Sequence, residues 1–289
     1  MSDLLNILIA VGFMAGLGLI LATVLVIANR RLFVYEDPRI DDVEDLLPHA
    51  NCGACGTAGC RVFAEKLVAG ELQPGACTVN STEMNQVIAT FLGVELGSHD
   101  KQVARLACAG GSNVARRHGD YQGVVSCRAA ALVSGGGKGC AWGCLGLADC
   151  ERICEFDAII MDRHDLPQVI DDLCTACGDC VDICPRDLFS LQPMSHHLWV
   201  ACKNLEKGEL AEAECAVACN GCGRCAADAP GDLIIMENNL AVIDYSRNAQ
   251  ASRIAIERCP TGAIVWLEEG VHKGQEAVKI VRKEALPLG

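Results

Sequence analysis

The stretch from Cys174 to Pro185, "CTACGDCVDICP", contains four cysteines in the spacing C-x2-C-x2-C-x3-C, followed by proline. This spacing is typical of ferredoxins with two [4Fe-4S] clusters, in which the first three cysteines bind one cluster and the fourth reaches across to the other. A zinc site with all four ligands so close together in one loop would be unusual. The stretch therefore predicts a ferredoxin-like fold, with a partner motif nearby.

The partner motif lies just upstream, in "CAWGCLGLADCERICEFDAI", residues 140–159. Its spacing, C-x3-C-x5-C-x3-C, is looser than in a small ferredoxin, and Glu155 stands where proline is usual. Cross-ligation between the two motifs predicts two clusters. The first would be bound by Cys140, Cys144, Cys150 and Cys184, and the second by Cys174, Cys177, Cys180 and Cys154.

A second pair of motifs follows, in "CNGCGRCAADAPGDLI", residues 219–234, and "RNAQASRIAIERCP", residues 247–260. The same rule predicts one cluster bound by Cys219, Cys222, Cys225 and Cys259. The other cluster of this pair would need ligands at four positions that hold no cysteine, namely Ala229, Ala249, Ser252 and Ala255. This region therefore reads as a ferredoxin-like domain that keeps one cluster and has lost the other.

A further motif begins at "NCGACGTAGC", residues 51–60, and is completed by Cys77. Cys52, Cys55, Cys60 and Cys77 follow C-x2-C-x4-C-x16-C, with small residues between the first three and a short amphipathic helix expected from Cys60. These residues predict a fourth [4Fe-4S] cluster, with zinc as the alternative from spacing alone.

Four of the twenty cysteines belong to none of these motifs: Cys108, Cys127, Cys202 and Cys215. They are interpreted either as buried thiols on short apolar strands or as a further metal site beside the ferredoxin domain. The one basic region, Lys101, Arg105, Arg116, Arg117 and His118, is either a solvated face or a docking surface for a small acidic electron carrier.

The N-terminus predicts a membrane anchor. Residues 4–28 contain no charge, and a helix of this length spans about 37 Å, enough for a hydrocarbon core of roughly 30 Å. A cleaved signal peptide would start with basic residues, whereas this chain starts "MSD" and carries Arg30 and Arg31 after the apolar stretch. The positive-inside rule then predicts a single-pass protein of the inner (cytoplasmic) membrane, with its iron-sulfur domains in the cytoplasm. Reduced thiols fit that compartment better than disulfides do.

Composition narrows the function. The 289-residue chain has a net charge of -13, which argues against nucleic acid as a partner. No nucleophile-base pair or nucleotide fingerprint is present, so the chain has no complete active site of its own. Only 4% of residues are aromatic, so metal clusters are expected to help hold the fold together.

These motifs predict an α+β fold: an N-terminal transmembrane helix followed by small iron-sulfur modules, including tandem bacterial ferredoxin-like domains. The expected divisions are a transmembrane anchor (1–31), a single-cluster domain (32–97), a connecting segment with short strands (98–139), a two-cluster ferredoxin-like domain (140–190), a connecting segment (191–214), a degenerate one-cluster ferredoxin-like domain (215–270) and a C-terminal tail (271–289).

In its order of parts the chain resembles the B subunits of the Rnf complex, the membrane-bound ferredoxin:NAD oxidoreductase that couples electron transfer to sodium or proton translocation. The matching features are the N-terminal helix, "NCGACGTAGC" with Cys77, "LACAGG", "GKGCAWGCLGLADCERICEFDAI", "CTACGDCVDICP" and "NNLAVIDY". The resemblance implies an electron-transfer subunit of a translocase, which accepts electrons from soluble ferredoxin and passes them towards flavin-bearing and NAD-binding subunits. The alternatives are an electron-wire subunit of another membrane reductase without ion pumping, and a membrane-bound iron-sulfur redox sensor.

Overall fold

The computed structural model describes residues 2–32, 36–97 and 100–267, so the tail predicted for residues 271–289 lies outside it. Helix α1 (Ser2–Leu32) is long and apolar enough to cross a membrane. None of its most apolar part is buried against the rest of the described structure. An apolar helix of this length that the protein leaves uncovered suits a lipid environment.

An N-terminal module follows, built from three helices: α2 (Arg39–Asp45), α3 (Cys60–Val68) and α4 (Thr82–Leu92). The helix predicted to start at Cys60 is present, and its buried face packs Phe63 and Leu67 against Val43 and Ile88. Ser81 caps α4 by accepting a hydrogen bond from the Met84 backbone N–H at 3.1 Å.

The rest of the described chain forms two units with one topology. The first unit contains β1 (Gln102–Leu106), α5 (Cys127–Leu132), α6 (Asp149–Ile153), β2 (Ile159–Met161), β3 (Pro167–Val169), α7 (Asp179–Ile183) and β4 (Phe189–Pro193). The second contains β5 (Leu198–Val200), α8 (Glu209–Glu214), α9 (Arg224–Asp228), β6 (Ile234–Glu237), β7 (Leu240–Ile243), α10 (Ile254–Glu257) and β8 (Ile264–Trp266).

In each unit the first strand pairs with the last and the second with the third, all antiparallel. The four sheets therefore have two strands each. An isolated two-stranded sheet is only marginally stable in water. The sheets must gain their stability from what packs between and beside them.

The two segments predicted as connectors, 98–139 and 191–214, are built into the units. β1 and β5 lie in them, and each strand closes its unit by pairing with a strand far along the chain. Spacing could not reveal this, because the pairing of β1 with β4 joins residues almost ninety positions apart.

The units meet in a common core of small side chains. Trp199 lies at its centre and donates a hydrogen bond from Nε1 to the Leu106 carbonyl at 2.9 Å. Ala115 and Cys215 form an isolated β-bridge, which joins the segment after β1 to the segment after α8. The cysteine-bearing segments of the two units are thereby held against one another.

A buried ion pair fixes β1 to the loop that precedes Cys174. Arg105 is 7% exposed, and its Nη1 donates to both Asp171 carboxylate oxygens, at 2.7 and 2.9 Å. Lys101 Nζ donates to the Asp171 and Asp172 carbonyls at 2.8 and 3.0 Å. Lys101 and Arg105, two residues of the predicted basic region, are thus engaged within the fold.

Asp171→Ala is expected to destabilise the protein by about 3–5 kcal/mol, because it leaves the Arg105 guanidinium buried and unpaired. The measurement is anaerobic denaturant unfolding followed by far-UV circular dichroism. The matched control is Asp228→Ala, which breaks an ion pair whose Arg258 side chain is 61% exposed and should change stability little. Equal effects of the two substitutions would contradict the assigned role of the buried pair.

Candidate iron-sulfur sites

Site 1 is a cavity of about 330 Å3 bounded by the sulfur atoms of Cys52, Cys55, Cys60 and Cys77. The backbone turns tightly around it at Gly53 and Gly56, where φ is +72° and +79°. Asn51 Oδ1 accepts a hydrogen bond from the Cys60 N–H at 2.8 Å, which holds the start of α3 at the cavity wall. All four cysteines of the first predicted set are brought together.

Site 2 is a cavity of about 330 Å3 bounded by Cys154, Cys174, Cys177 and Cys180. The loop of the last three turns at Ala176 and Gly178, whose φ values are +61° and +96°. Cys154 arrives from the end of α6, in the other half of the unit. The structure thus brings together this predicted set, including the residue that crosses over.

Site 3 is a cavity of about 350 Å3 bounded by Cys127, Cys144, Cys150 and Cys184. Three of these residues were predicted to lie together, and Cys184 crosses over from the end of α7 as expected. The fourth was not: the sequence placed Cys140 here, whereas the structure places Cys127. The predicted grouping of Cys140 is therefore corrected.

Hydrogen bonds outside the motif explain the exchange. Asp149 Oδ2 accepts from Ser126 Oγ at 2.9 Å and from the Arg128 N–H at 3.2 Å, which holds the start of α5, and with it Cys127, beside α6. On the other side, Lys138 forms a β-bridge with Arg117, and the Gly139 N–H donates to the Arg116 carbonyl at 3.0 Å. This pairing draws Cys140 away from Cys144.

Site 4 is a cavity of about 340 Å3 bounded by Cys219, Cys222, Cys225 and Cys259, the complete predicted set. Where the lost ligands would be, the second unit has apolar packing. Ala255 is 2% exposed and belongs to a cluster that includes Leu233, Ile234 and the partly buried Ala229. Side chains thus occupy the region in which a second metal group would lie.

The four cysteines that remain, Cys108, Cys140, Cys202 and Cys215, line a fifth cavity of about 320 Å3, here called the bridging site. Cys108 follows β1, Cys202 follows β5, and Cys215 ends α8. All four are buried, as the buried-thiol interpretation expected, but they face one shared space rather than separate strands.

The five sites fit a polynuclear group better than a single ion. None of the twenty cysteines, all of which lie in the described residues, forms a disulfide. Within residues 2–32, 36–97 and 100–267, no three His, Cys, Asp or Glu side chains are placed to hold one metal ion. Four thiols spread around a cavity suit a cluster, whose iron atoms are bound by separate thiolates.

The surroundings of the sulfur atoms also call for metal. Burial raises the pKa of the Cys150 thiol to about 12 and that of the Cys225 thiol to about 11, because a low-dielectric environment disfavours the thiolate. These thiols keep their protons at neutral pH unless iron displaces them. Arg186 lines site 3, and its buried Nε has no hydrogen-bond partner among the described residues. A sulfide or thiolate would accept that hydrogen bond.

Two family models match these regions. The FeS model, described as an Fe-S cluster, matches residues 47–79 and covers site 1. The Fer4 model, described as a 4Fe-4S binding domain, matches residues 167–189, which carry Cys174, Cys177, Cys180 and Cys184.

Three relatives, each the B subunit of its complex, align with most of the chain. That of the Na(+)-translocating ferredoxin:NAD(+) oxidoreductase complex of Acetobacterium woodii is 39% identical, over 89% of this chain and 77% of that protein. That of the ion-translocating oxidoreductase complex of Methanosarcina acetivorans is 37% identical, over 88% of this chain and 96% of that protein. That of the proton-translocating ferredoxin:NAD(+) oxidoreductase complex of Clostridium ljungdahlii is 37% identical, over 91% of this chain and 94% of that protein. The chain belongs to the Rnf B-subunit family.

Membership of the Rnf B-subunit family confirms the resemblance drawn from the cysteine motifs, and makes the chain an iron-sulfur electron-transfer subunit of an oxidoreductase complex. Helix α1, together with the ion-translocating complexes of the relatives, indicates a membrane-anchored protein. The fold agrees at the level of iron-sulfur domains of mixed helix and strand content that follow one apolar helix.

Motif spacing in this Rnf B-subunit sequence missed Cys127 as a partner of Cys144, and it missed the bridging site altogether. Both depend on segments that are brought together only by tertiary contacts. One signal was nevertheless present: a [4Fe-4S] cluster takes four thiolates, and twenty cysteines make five complete sets. After four clusters, the four cysteines left over are the number that one more would need.

Proposed function

We propose that the chain is a single-pass subunit that holds [4Fe-4S] clusters at sites 1 to 4, accepts electrons from reduced soluble ferredoxin and passes them within an Rnf-type complex towards flavin-bearing and NAD-binding subunits. Bound clusters would supply one-electron chemistry. The residues of the chain hold them, keep water away and set their order. The two units are proposed to be tandem ferredoxin-like domains, the second with one cluster.

The crossing of Cys154 and Cys184 is the observation that carries this proposal. Helix α6 presents Cys150 to site 3 and ends at Cys154, which lines site 2. Helix α7 presents Cys180 to site 2 and ends at Cys184, which lines site 3. Two helices of five residues each therefore serve both sites and keep them adjacent, as electron transfer between them requires.

Site 1 is joined to site 2 by a direct contact. Thr78 and Thr175 line the two cavities, and Thr78 Oγ1 donates to the Thr175 carbonyl at 3.0 Å. This bond supports an order in which site 1 precedes site 2, with site 3 beyond it.

The orientation in the membrane is proposed from charge. Arg30 and Arg31 lie in the last turn of α1, at the end from which the iron-sulfur modules continue. The positive-inside rule places this end in the cytoplasm, at the inner membrane. The modules would then face a cytoplasmic pool of ferredoxin. The donor is proposed because two relatives are named ferredoxin:NAD(+) oxidoreductase subunits.

The test is an anaerobic titration of the full-length protein in detergent with reduced ferredoxin, followed by EPR and by iron and sulfide analysis. Cluster signals should appear on reduction, and Cys259→Ala should remove about four iron atoms, those of site 4, while the clusters of sites 2 and 3 remain. Thr261→Val is the matched control, because Thr261 lines the same cavity without being a cysteine.

Each other result has a distinct meaning. Protein that contains zinc and little iron would contradict the proposal. Clusters that ferredoxin does not reduce would indicate a subunit of a different reductase. Unchanged iron content in Cys259→Ala would show that Cys259 is not a ligand of site 4.

A further inference from the structure

We propose that Cys108, Cys140, Cys202 and Cys215 bind a fifth [4Fe-4S] cluster, which connects the two ferredoxin-like units. The inference rests on the proposed iron-sulfur function and extends it to residues that no sequence motif groups together.

The bridging site has the dimensions of the other four. Its cavity of about 320 Å3 compares with 330 to 350 Å3 at sites 1 to 4, and it too is bounded by four cysteines. The thiols converge closely: a Cβ added to Gly110 would lie 3.0 Å from Cys215 Sγ and 3.7 Å from Cys108 Sγ. Glycine at this position lets the backbone pass between the two sulfur atoms.

Backbone N–H groups point at the sulfur atoms, as they do around cluster thiolates. Cys202 Sγ accepts hydrogen bonds from the N–H groups of Asn204 and Cys219, both at 3.3 Å. Cys108 Sγ accepts one from the Cys144 N–H at 3.4 Å. A neutral thiol is a weak acceptor, whereas an iron-bound thiolate carries the negative charge that such donors stabilise.

A buried amide supplies an independent indication of a bound group. Asn204 lines the cavity and is 1% exposed, and its Oδ1 accepts a hydrogen bond from the Glu206 N–H at 2.7 Å. Its Nδ2 has no hydrogen-bond partner within the part of the chain that the structure describes. Leaving a buried donor unpaired is unfavourable. A cluster sulfide or thiolate in the cavity would be its acceptor.

The charge of the cavity wall points the same way. Lys138 lines the site, with its Nζ bonded to the Gly110 carbonyl. A cluster with four thiolates is anionic, and a cation in an otherwise buried, alanine-rich wall would offset that charge. Single buried thiols, in contrast, would leave the ammonium group without a nearby anionic partner in the cavity.

The position of the site gives it a role. Cys108 accepts a hydrogen bond from Cys144 of site 3, and Cys202 accepts one from Cys219 of site 4. Residues of the bridging site therefore touch a cysteine of each unit. A cluster here would make the order of centres continuous, from site 1 through sites 2 and 3 and the bridging site to site 4.

The experiment counts iron and acid-labile sulfide in anaerobically reconstituted full-length protein, with spin quantitation by EPR after reduction. The parent should contain about 20 iron atoms per chain, against about 16 if sites 1 to 4 alone are filled. The double variant Cys202→Ala/Cys215→Ala should lose about four. Val217→Ala, a truncation of a buried residue in the same cavity wall, should lose none.

A parent with about 16 iron atoms would overturn the inference and leave the proposed function intact. The same holds if one zinc ion per chain disappears in the double variant while iron is unchanged. A parent without iron would refute both. If the double variant does not fold, the iron count of the parent still decides the question.

Discussion

Replacing Cys140 and Cys144 together by alanine is expected to remove two clusters, about eight iron atoms, although only three residues separate the two positions. The reason is that Cys140 lines the bridging site and Cys144 lines site 3. Motif spacing alone predicts the loss of one cluster, because it assigns both residues to the same set. Iron and sulfide analysis of the anaerobically purified variant distinguishes the two results.

Two matched pairs serve as controls. Cys127→Ala/Cys144→Ala removes two residues of site 3, and Cys108→Ala/Cys140→Ala removes two residues of the bridging site. Each pair should cost about four iron atoms. A loss of four from the Cys140 and Cys144 pair, together with eight from the Cys127 and Cys144 pair, would restore the assignment made from the sequence.

Removal of all clusters is expected to unfold both units. Anaerobic treatment with a chelator and an oxidant should abolish most of the far-UV circular dichroism of residues 36–267, while α1 stays helical in detergent. The binding free energy of a structural metal is also folding free energy, on the order of 10–16 kcal/mol for a zinc site in a small domain. No core of this protein replaces that contribution, since each cavity lies where side chains would otherwise meet.

The cores show why. All four sheets have two strands, and the core between the units consists largely of alanine, valine and cysteine. Chelator without oxidant is the control, because it should leave the clusters and the spectrum in place. A spectrum that is unchanged after complete iron loss would show that the apolar cores suffice. Rapid proteolysis of the treated protein, in contrast, would support the expectation.

Sequence could predict what is local in this protein. The loop of Cys174, Cys177 and Cys180 spans seven residues, so its spacing alone implies a shared site. The crossing of Cys154 and Cys184 followed from the repeat, because a ferredoxin-like fold is built from two related halves. The apolar run that became α1 needed only its length and lack of charge.

What depends on tertiary contacts was out of reach. Cys127 reaches site 3 because Asp149 holds the start of α5, and nothing in the spacing of the cysteines signals that contact. The bridging site draws its residues from four separate segments, which meet only when β1 and β5 have closed their units. Strand pairing over such distances leaves no periodic trace in the sequence.

Cys222 is the one cysteine of the twenty that is exposed, and it lies at site 4, the far end of the proposed series of centres. A metal group bound there would be the part of the series in contact with water. That contact makes site 4 the entry or exit point at which a partner could exchange electrons over the shortest path. It also makes site 4 the place where dioxygen would attack first, so exposure to air should inactivate the chain from this end.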